Sequence, residues 1–407
     1  MQVRKLGPLM LSGLMVGPVL GSGIFILPPL ALELAGDWAL PAWMVIVAIN
    51  AVFAFVFCWL AVLFPGDGGV ANAVEHAFGR KMKQFTAYCL LCAVLFGPCA
   101  VLLTMVEYLP VPVAEFGRYG REITAFVFLS CGCLLLLQKV RALGTVAFVC
   151  SSLGAVLLSA GALAALTDVA LMPAPLPEFD AGTFGRTLLL LFWCIIGWEV
   201  AGNYSGDVDR PETTMPRAVL ISVLVVTLVE LLVAGGMQYA QLGSQHGPGV
   251  LRLLHPLLGA AGVVVGSLIV FGLCATTYMM FVGAVARLAA SLGSEGLLPE
   301  VISRKNTVGA PAAAVAVLFL VAAGVATLPS LVVMANGFLI ANALVGVAAA
   351  VKVLKAWWHK VFSVLLAIVM LVLLAQSELW ILLLIGLLGL AIAASGKLLG
   401  SKALRQT

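Results

Sequence analysis

The sequence VLGSGIF at residues 19–25 interrupts the first apolar stretch of this chain with a Gly-Ser-Gly break. A second interruption, FWCIIGWEVAG at residues 192–202, lies in the apolar stretch that opens the second half of the chain. Non-helical backbone at mid-membrane depth survives only where it is buried in protein or lines a polar cavity. Two such interruptions at corresponding places in two halves therefore predict a buried polar site near the middle of a bilayer.

The composition predicts an integral membrane protein built from helices. Of the 407 residues, 63% are hydrophobic and 10% are charged, and the mean hydropathy is +1.15, whereas soluble domains are roughly 45–50% apolar. The apolar stretches have about the 20 residues that cross a bilayer as a helix, and they lack the alternation over about 10 residues that is typical of a barrel. Residues 1–7 are too few and too polar for a cleaved signal, so the first stretch is expected to be a retained span.

The apolar stretches predict twelve transmembrane helices. They lie near residues 9–34, 40–65, 85–108, 122–138, 143–167, 186–204, 216–241, 260–291, 311–328, 330–353, 357–376 and 379–397. Fusing the pair that meets at Pro329 and Ser330 would give eleven, but the charges favour twelve. With a cytoplasmic N-terminus, all Lys and Arg residues then lie inside except Arg118, Arg121, Arg186 and Arg252. Both termini are therefore predicted to be cytoplasmic, and the net charge of +4 reflects topology rather than nucleic-acid binding.

The residues that carry chemistry in enzymes or metal sites do not cluster along this sequence. All nine cysteines fall within apolar spans, and the pair Cys89 and Cys92 has no His or acidic companion nearby. The sequence also lacks a nucleophile beside a base and a phosphate-binding loop. We therefore predict no metal, no cofactor and no catalytic residue.

The first break is expected to bind an anionic group. A half-helix that restarts at Ile24 and Phe25 points free N–H groups and the positive end of its dipole into the bilayer, which suits a carboxylate. Ser22, Gly23 and Ile24 are the candidate ligands. The alternative is a packing groove, because Gly13, Gly17 and Gly21 recur at every fourth position.

The second break offers the opposite polarity. Unwinding would free the carbonyls of residues 193–196, a negative helix end that suits an ammonium group. Glu199 is an ionisable residue deep in an apolar span, where such residues mark pathways, proton relays or gates. It can equally be a protonated structural carboxyl bonded to the backbone of the first break. Trp193 can stack on or close over a ligand, or can be a core or lipid-facing residue.

Several motifs together resemble the amino acid-polyamine-organocation superfamily. Residues 19–25 followed by Pro28 are similar to its first-helix signature, and residues 192–217 to its sixth helix and the loop after it. Residues 65–79 resemble the loop between its second and third helices, and residues 287–299 the end of its eighth helix. The matches occur in the right order over about residues 8–300. The Phe-Trp-Cys-x-x-Gly-x-Glu string and the short loops resemble bacterial exporters of methionine and branched-chain amino acids most closely.

The resemblance implies the leucine-transporter fold, with broken first and sixth helices and two inverted repeats of five helices. The first repeat would cover residues 8–167 and the second residues 186–353, with residues 357–397 forming two peripheral helices. It also implies a bacterial inner membrane as the location.

The resemblance further implies which residues form the site. The substrate carboxylate would lie at the first break, the amine at the second, and Trp193 would contact or gate the substrate. The candidate substrate-binding residues are Gly21, Ser22, Gly23, Ile24, Phe25, Trp193, Cys194, Ile195, Ile196, Gly197 and Trp198. Glu199, Thr276 and Thr277 are the candidates for coupling or gating. Because residues 143–167 hold no Lys, the coupling ion stays open between a proton and sodium, and the hydroxyls at residues 151, 152, 276 and 277 can equally be packing groups.

These features predict a secondary active transporter of small neutral amino acids with apolar, branched-chain or methionine-like side chains. Inside the predicted site, Glu199 is the one charged side chain, so a charged substrate side chain would lack a partner. Proton-coupled export by alternating access is the first expectation. Uptake or exchange coupled to protons or sodium is the alternative, and a membrane-embedded enzyme is a remote one. The expected partners are the amino acid, the coupling ion and the lipid bilayer.

Overall fold

The computed structural model describes residues 6–109, 119–138, 140–167, 177–240, 244–325 and 331–403, and its regular structure is helical. The α-helices, in chain order, are α1 Pro8–Leu20, α2 Gly23–Ala35, α3 Ala39–Leu63, α4 Val70–Phe78, α5 Arg80–Glu107, α6 Gly120–Leu136, α7 Val140–Leu166, α8 Ala181–Leu191, α9 Trp198–Ala201, α10 Pro211–Tyr239, α11 His255–Leu258, α12 Ala261–Ser294, α13 Ala312–Val325, α14 Leu331–Val353, α15 Trp357–Ala375 and α16 Leu379–Ala403.

The helices have the length and hydropathy of a multi-pass membrane protein. Within the described ranges, eight helical stretches are long and apolar enough to cross a bilayer, and the first of them, Pro8–Leu63, holds α1, α2 and α3. Each predicted span overlaps one of the helices or an adjoining pair. The all-helical membrane class is therefore confirmed, while the count of twelve crossings and the inverted repeat stay predictions.

The first helix ends where the sequence predicts a break. Gly21 follows α1 with a φ of +37°, a left-handed conformation that glycine adopts without the steric penalty of a β-carbon. Its N–H still donates to the Gly17 carbonyl at 2.7 Å, which completes the last turn of α1. The chain restarts as α2 at Gly23. One positive φ angle thus divides the first predicted span into two half-helices.

The second break is longer and more irregular. Helix α8 ends at Leu191, and a 3₁₀ turn covers Phe192–Cys194. Gly197 then has a φ of +135° and precedes the single helical turn of α9. A second 3₁₀ segment, Gly202–Asp207, leads out of the break. The chain therefore leaves regular α-helix from Phe192 until α10 begins, apart from α9.

Small residues let α1 lie in the centre of the helix assembly, against α7, α10 and α12. A β-carbon at Gly13 would lie 2.7 Å from the β-carbon of Phe148 on α7, and one at Gly17 would lie 2.7 Å from the Ser151 hydroxyl oxygen. Gly13 and Gly17 therefore form the packing groove that the sequence offered as the alternative to an anion site. Gly21 differs because its backbone conformation, as well as its neighbours, favours glycine.

Burial divides the helices into inner and outer ones. In the most apolar window of α12, 78% of the residues are buried, against 22% in that of α15. Helix α15 contacts α14 and α3 on one side and exposes its other side. An apolar side chain exposed along a membrane helix is typical of contact with lipid. The breaks in residues 21–23 and 192–197 belong to the buried interior.

Candidate binding site between the two helix breaks

The two breaks lie directly against each other. The indole N–H of Trp193, in the second break, donates to the Ser22 hydroxyl of the first at 3.2 Å. A β-carbon at Gly23 would lie 3.1 Å from both the Cys194 sulfur and Cδ1 of Trp193. The missing side chain at Gly23 therefore gives the second break room to approach. The structure therefore brings together residues about 170 positions apart in the sequence.

The first break presents hydrogen-bond donors. The first N–H groups of an α-helix have no partner in their own helix, and in α2 these include Gly23 and Ile24. Within the described residues, the backbone N–H of Ser22 has no acceptor either. The Ser22 carbonyl, by contrast, accepts from Phe25 and Ile26, each at 3.2 Å. The exposed polarity at this point is therefore positive, and a partly buried anion at such a helix end gains up to about 2 kcal/mol.

The second break presents acceptors. The Phe192 carbonyl accepts from the Ile195 N–H at 2.9 Å. In the part of the chain that the structure describes, no hydrogen bond reaches the carbonyls of Ile195 and Ile196. Such carbonyls carry partial negative charge and suit a cationic group. The two breaks, which contact each other, therefore carry opposite polarity.

A narrow apolar cavity opens beside Trp193. Its volume, about 10 Å³, holds about one water molecule. Its principal lining side chains come from the second break and from α5, α12 and α14: Val94, Val101, Trp193, Ile196, Phe281 and Leu339. Thr277 adds a hydroxyl, and none of the described lining residues is charged. The cavity is far smaller than the several hundred Å³ of an open small-molecule site, so the site is closed in this conformation.

The predicted side-chain pocket divides into residues that line this cavity and residues that do not. Trp193 and Ile196 line it. Trp198 is 2% exposed and donates from its indole N–H to the Asn50 side-chain oxygen of α3 at 2.5 Å. Phe25 is fully buried, and its carbonyl accepts from the Tyr108 hydroxyl at 3.2 Å. Whether each of these residues binds a ligand stays a prediction.

The Glu199 side chain is buried in the second break and accepts a hydrogen bond from the backbone of that break. One carboxylate oxygen accepts from the Gly197 N–H at 3.1 Å, and the other has no hydrogen-bond partner among the described residues. The side chain is 2% exposed. The sequence left open that the Glu199 carboxyl bonds to the backbone of the first break. In the structure it bonds instead to the backbone of its own break, at the residue before α9. A free oxygen still remains for a proton.

The hydroxyls proposed for a cation lie close to α1 and are bonded to helix carbonyls. Thr276 and Thr277 both donate to the Leu273 carbonyl, at 2.7 and 2.9 Å. Ser151 donates to the Gly13 carbonyl at 2.9 Å. These bonds are what packing hydroxyls make. The hydroxyl oxygens of Thr276 and Thr277 lie beside Gly17 and Gly21 of the first span.

Three residues at the site, Gly97, Asn50 and Tyr108, were not predicted from the sequence. Gly97 on α5 lies against the Trp193 ring, whose Cη2 would be 3.5 Å from a β-carbon there. The Gly-Pro pair at residues 97–98 marks a small-residue interruption in an apolar helix, which is the one signal that could have singled it out. Asn50 and Tyr108 hold the flanks of the site. Asn50 is a lone polar residue in an apolar helix, whereas Tyr108 directly follows Glu107.

Ion pairs close the end of the molecule that carries the N-terminus. Arg287 pairs with Asp207 at 3.2 Å and lies 4.3 Å above the centre of the Tyr204 ring. A short parallel bridge also joins Leu6 to Val208, directly after the second break. Charged residues are frequent in residues 207–217, directly after the second break. Asp207, the first of them, thus has its partner on α12.

A second ion-pair cluster lies at the ends of α4, α5 and α12. Lys83, whose side chain is 4% exposed, contacts Glu75 at 2.7 Å and Glu295 at 2.6 Å. The opposite end is closed by α2, Tyr108 and the 3₁₀ turn Gly249–Leu254.

Comparison with known proteins finds transporters. The chain is 29% identical over 239 residues to the L-methionine/branched-chain amino acid exporter YjeH of Escherichia coli (strain K12), covering 56% of this chain and 54% of the exporter. It is 22% identical over 351 residues to the putrescine transporter PotE of the same organism, covering 79% and 75%. It is 23% identical over 293 residues to the uncharacterized amino acid permease YecA of Bacillus subtilis (strain 168), covering 71% and 68%. The alignment thus spans about half the length of the first of these relatives.

The family assignment rests on nearly the whole chain. The sequence profile of the amino acid permease family matches residues 6–396, which include both breaks and every helix that contacts them. Since the match extends far beyond half of the sequence, this chain belongs to the amino acid permease family of the amino acid-polyamine-organocation superfamily.

Proposed function

We propose that this protein is a secondary active transporter that exports small neutral amino acids with apolar side chains in exchange for protons. The observation that carries the proposal is the contact of two helix breaks with opposite polarity beside an apolar cavity. Family membership supports amino acid transport. It also points away from an enzyme, because the relatives are transporters.

The polarity of the breaks suits the two charges of an amino acid. The α-carboxylate would accept from the N–H groups of Ser22, Gly23 and Ile24, where the α2 dipole is positive. The ammonium group would donate to the carbonyls of residues 193–196. A zwitterion bound in this way satisfies both breaks at once, and its side chain is left to face the apolar lining.

The lining argues for the substrate class. A charged side chain moved from water into a cavity walled by Val94, Ile196 and Phe281 would lose its hydration without gaining a partner. Branched-chain and methionine-like side chains lose nothing in the same place and gain burial. The similarity to an exporter of methionine and branched-chain amino acids supports this class.

Transport requires the closed site to open alternately to either side. Positive residues would place both termini and the Arg287–Asp207 pair in the cytoplasm of a bacterial cell, with twelve crossings of the inner membrane arranged as two inverted repeats. Release of that pair would open the inner side, and movement of α2 from Tyr108 would open the outer side.

Glu199 is the candidate for binding the coupled proton. It lies in the break, buried, with one oxygen free of hydrogen bonds in the described part of the structure. Sodium coupling is the alternative, and the hydroxyls of Ser151, Thr276 and Thr277 would supply its ligands. Their existing bonds to carbonyls favour a packing role. Uptake or exchange by the same site is the alternative to export.

The test is the flux of labelled leucine and methionine in proteoliposomes, under a pH gradient, a sodium gradient or neither. Unlabelled valine, putrescine and glutamate serve as competitors that differ in side-chain charge. We expect flux that follows the pH gradient without sodium and that valine alone of the three competitors reduces. Flux that requires sodium would overturn proton coupling, and competition by putrescine would overturn the substrate class. Absence of amino acid flux under all conditions would overturn the transport function itself.

A further inference from the structure

Glu230, near the middle of α10, is a buried carboxyl that no described residue neutralises. The residue is 0% exposed, and no nitrogen or oxygen donor in the described part of the protein bonds to either carboxylate oxygen. Glu107 provides the contrast, since it is exposed and paired with Arg121. An ionised carboxylate without a partner is among the most costly groups to bury, so a buried acid without one holds a proton instead.

The surroundings of Glu230 supply no compensating charge. Helix α10 packs against α1, α2, α3, α7 and the turn Gly249–Leu254. Helices α1 and α3 carry no charged residue, and the one on α2 is the exposed Glu33. Helix α7 has its single charge at Arg141, in its first turn. Arg252, on the 3₁₀ turn, is half-buried and has an interaction of its own.

The titratable group that faces Glu230 is the Cys194 thiol of the second break. Cys194 in turn lies against the first break, because its sulfur is 3.1 Å from the β-carbon position of Gly23. The Cys194 side chain therefore lies between Glu230 and the contact of the two breaks. A ligand or water molecule that enters between the breaks and displaces Cys194 would bring polar groups to this carboxyl.

We propose that Glu230 is a second proton-binding site of the transport cycle, in addition to Glu199. With the site closed, the Glu230 carboxyl keeps its proton. When the site opens to the inner side, water enters, the O–H bond breaks and the proton passes to that water. After the site has reopened to the outer side, the carboxylate takes up a proton from the water admitted there. Each cycle would then move two protons per amino acid. This inference rests on the proposed transport function and adds a prediction for the stoichiometry.

The experiment compares wild-type protein, Glu230→Gln and the control Glu107→Gln in proteoliposomes with the membrane potential clamped at zero. At a gradient of about one pH unit, each coupled proton contributes about a tenfold accumulation ratio. Glu230→Gln should lower the steady-state accumulation of leucine by about tenfold and halve the protons moved per amino acid. Exchange without a gradient measures whether the variant still cycles. Glu107→Gln should match the wild type in each measurement.

Infrared spectroscopy of the purified protein tests the same group without transport. The carbonyl band of protonated carboxyls, identified by its shift in heavy water, should lose intensity in Glu230→Gln. Glu230→Met serves as the second variant if the amide lowers folding yield. An unchanged accumulation ratio with intact exchange, or an infrared band that neither variant alters, would overturn the proposal. Failure of the wild type to transport any amino acid would instead overturn the proposed function and leave the infrared result to decide on Glu230.

Discussion

The first and the second break both interrupt a helix in the buried interior, but they differ in backbone conformation and in charge. The first is made by one positive φ angle at Gly21 and contains no charged side chain. The second has its positive φ at Gly197, and it adds a 3₁₀ turn and the buried carboxyl of Glu199. The first therefore offers hydrogen-bonding groups whose charge does not change. The second offers acceptors and a group whose charge can change.

In the proposed transport cycle, this difference separates substrate binding from proton coupling. Backbone N–H groups keep their polarity at every pH, so the first break is suited to hold a carboxylate throughout the cycle. A carboxyl in the second break alters the local charge when it gains or loses a proton. Variants of the first break should therefore affect binding, and variants of Glu199 should affect the response to a gradient.

Gly23→Val should have the largest effect, the loss of transport. Gly23 has an ordinary backbone conformation, so the cause is space: a β-carbon there already lies 3.1 Å from Cys194 and Trp193. The two additional methyl groups would force the breaks apart and cover the donors. Labelled-leucine flux in proteoliposomes measures the effect. Gly386→Val, at a position with nothing within 4 Å, is the control, and undiminished flux in Gly23→Val would refute the carboxylate site.

Glu199→Gln should keep exchange and lower accumulation driven by a pH gradient. The amide retains an oxygen that accepts from Gly197, so the break keeps its shape while the proton site is lost. The double variant with Glu230→Gln should remove the remaining accumulation. Exchange and net flux are measured on the same vesicles. Accumulation equal to that of the wild type in Glu199→Gln would assign the carboxyl a structural role.

Sequence reasoning located the breaks but not the contacts between them. Gly21 and Gly197 stand out as glycines inside apolar spans, and both adopt positive φ angles. The bond from Trp193 to Ser22 joins residues 171 positions apart, and the bond from Trp198 to Asn50 joins residues 148 apart. Such partners depend on how the helices pack, which a single sequence does not encode locally. For the same reason the sequence could not tell which of the two tryptophans faces the cavity.

Gly197→Ala should lower stability and reduce transport without removing it. An L-residue at a φ of +135° is strained by about 1–3 kcal/mol, and its β-carbon would lie 3.2 Å from the Val19 side chain of α1. The expected result is a lower melting temperature in detergent. Gly202→Ala is the matched control, since Gly202 has a helical φ of −56° and a β-carbon there makes ordinary contact with Ala61 at 3.5 Å. Equal melting temperatures for the two variants would show that the second break relaxes where the structure shows it fixed.

Trp193→Phe should have the smallest effect and should sharpen the comparison of the two breaks. It removes the indole N–H that joins the second break to Ser22, a bond worth about 0.5–1.5 kcal/mol, or roughly a two- to tenfold rise in KM for leucine. Trp198→Phe removes a comparable bond between Trp198 and Asn50, two residues that do not line the cavity. It should lower the melting temperature and leave KM unchanged. Initial rates over a range of leucine concentrations separate the two variants, and a KM change confined to Trp198→Phe would reverse the assignment of which tryptophan faces the substrate.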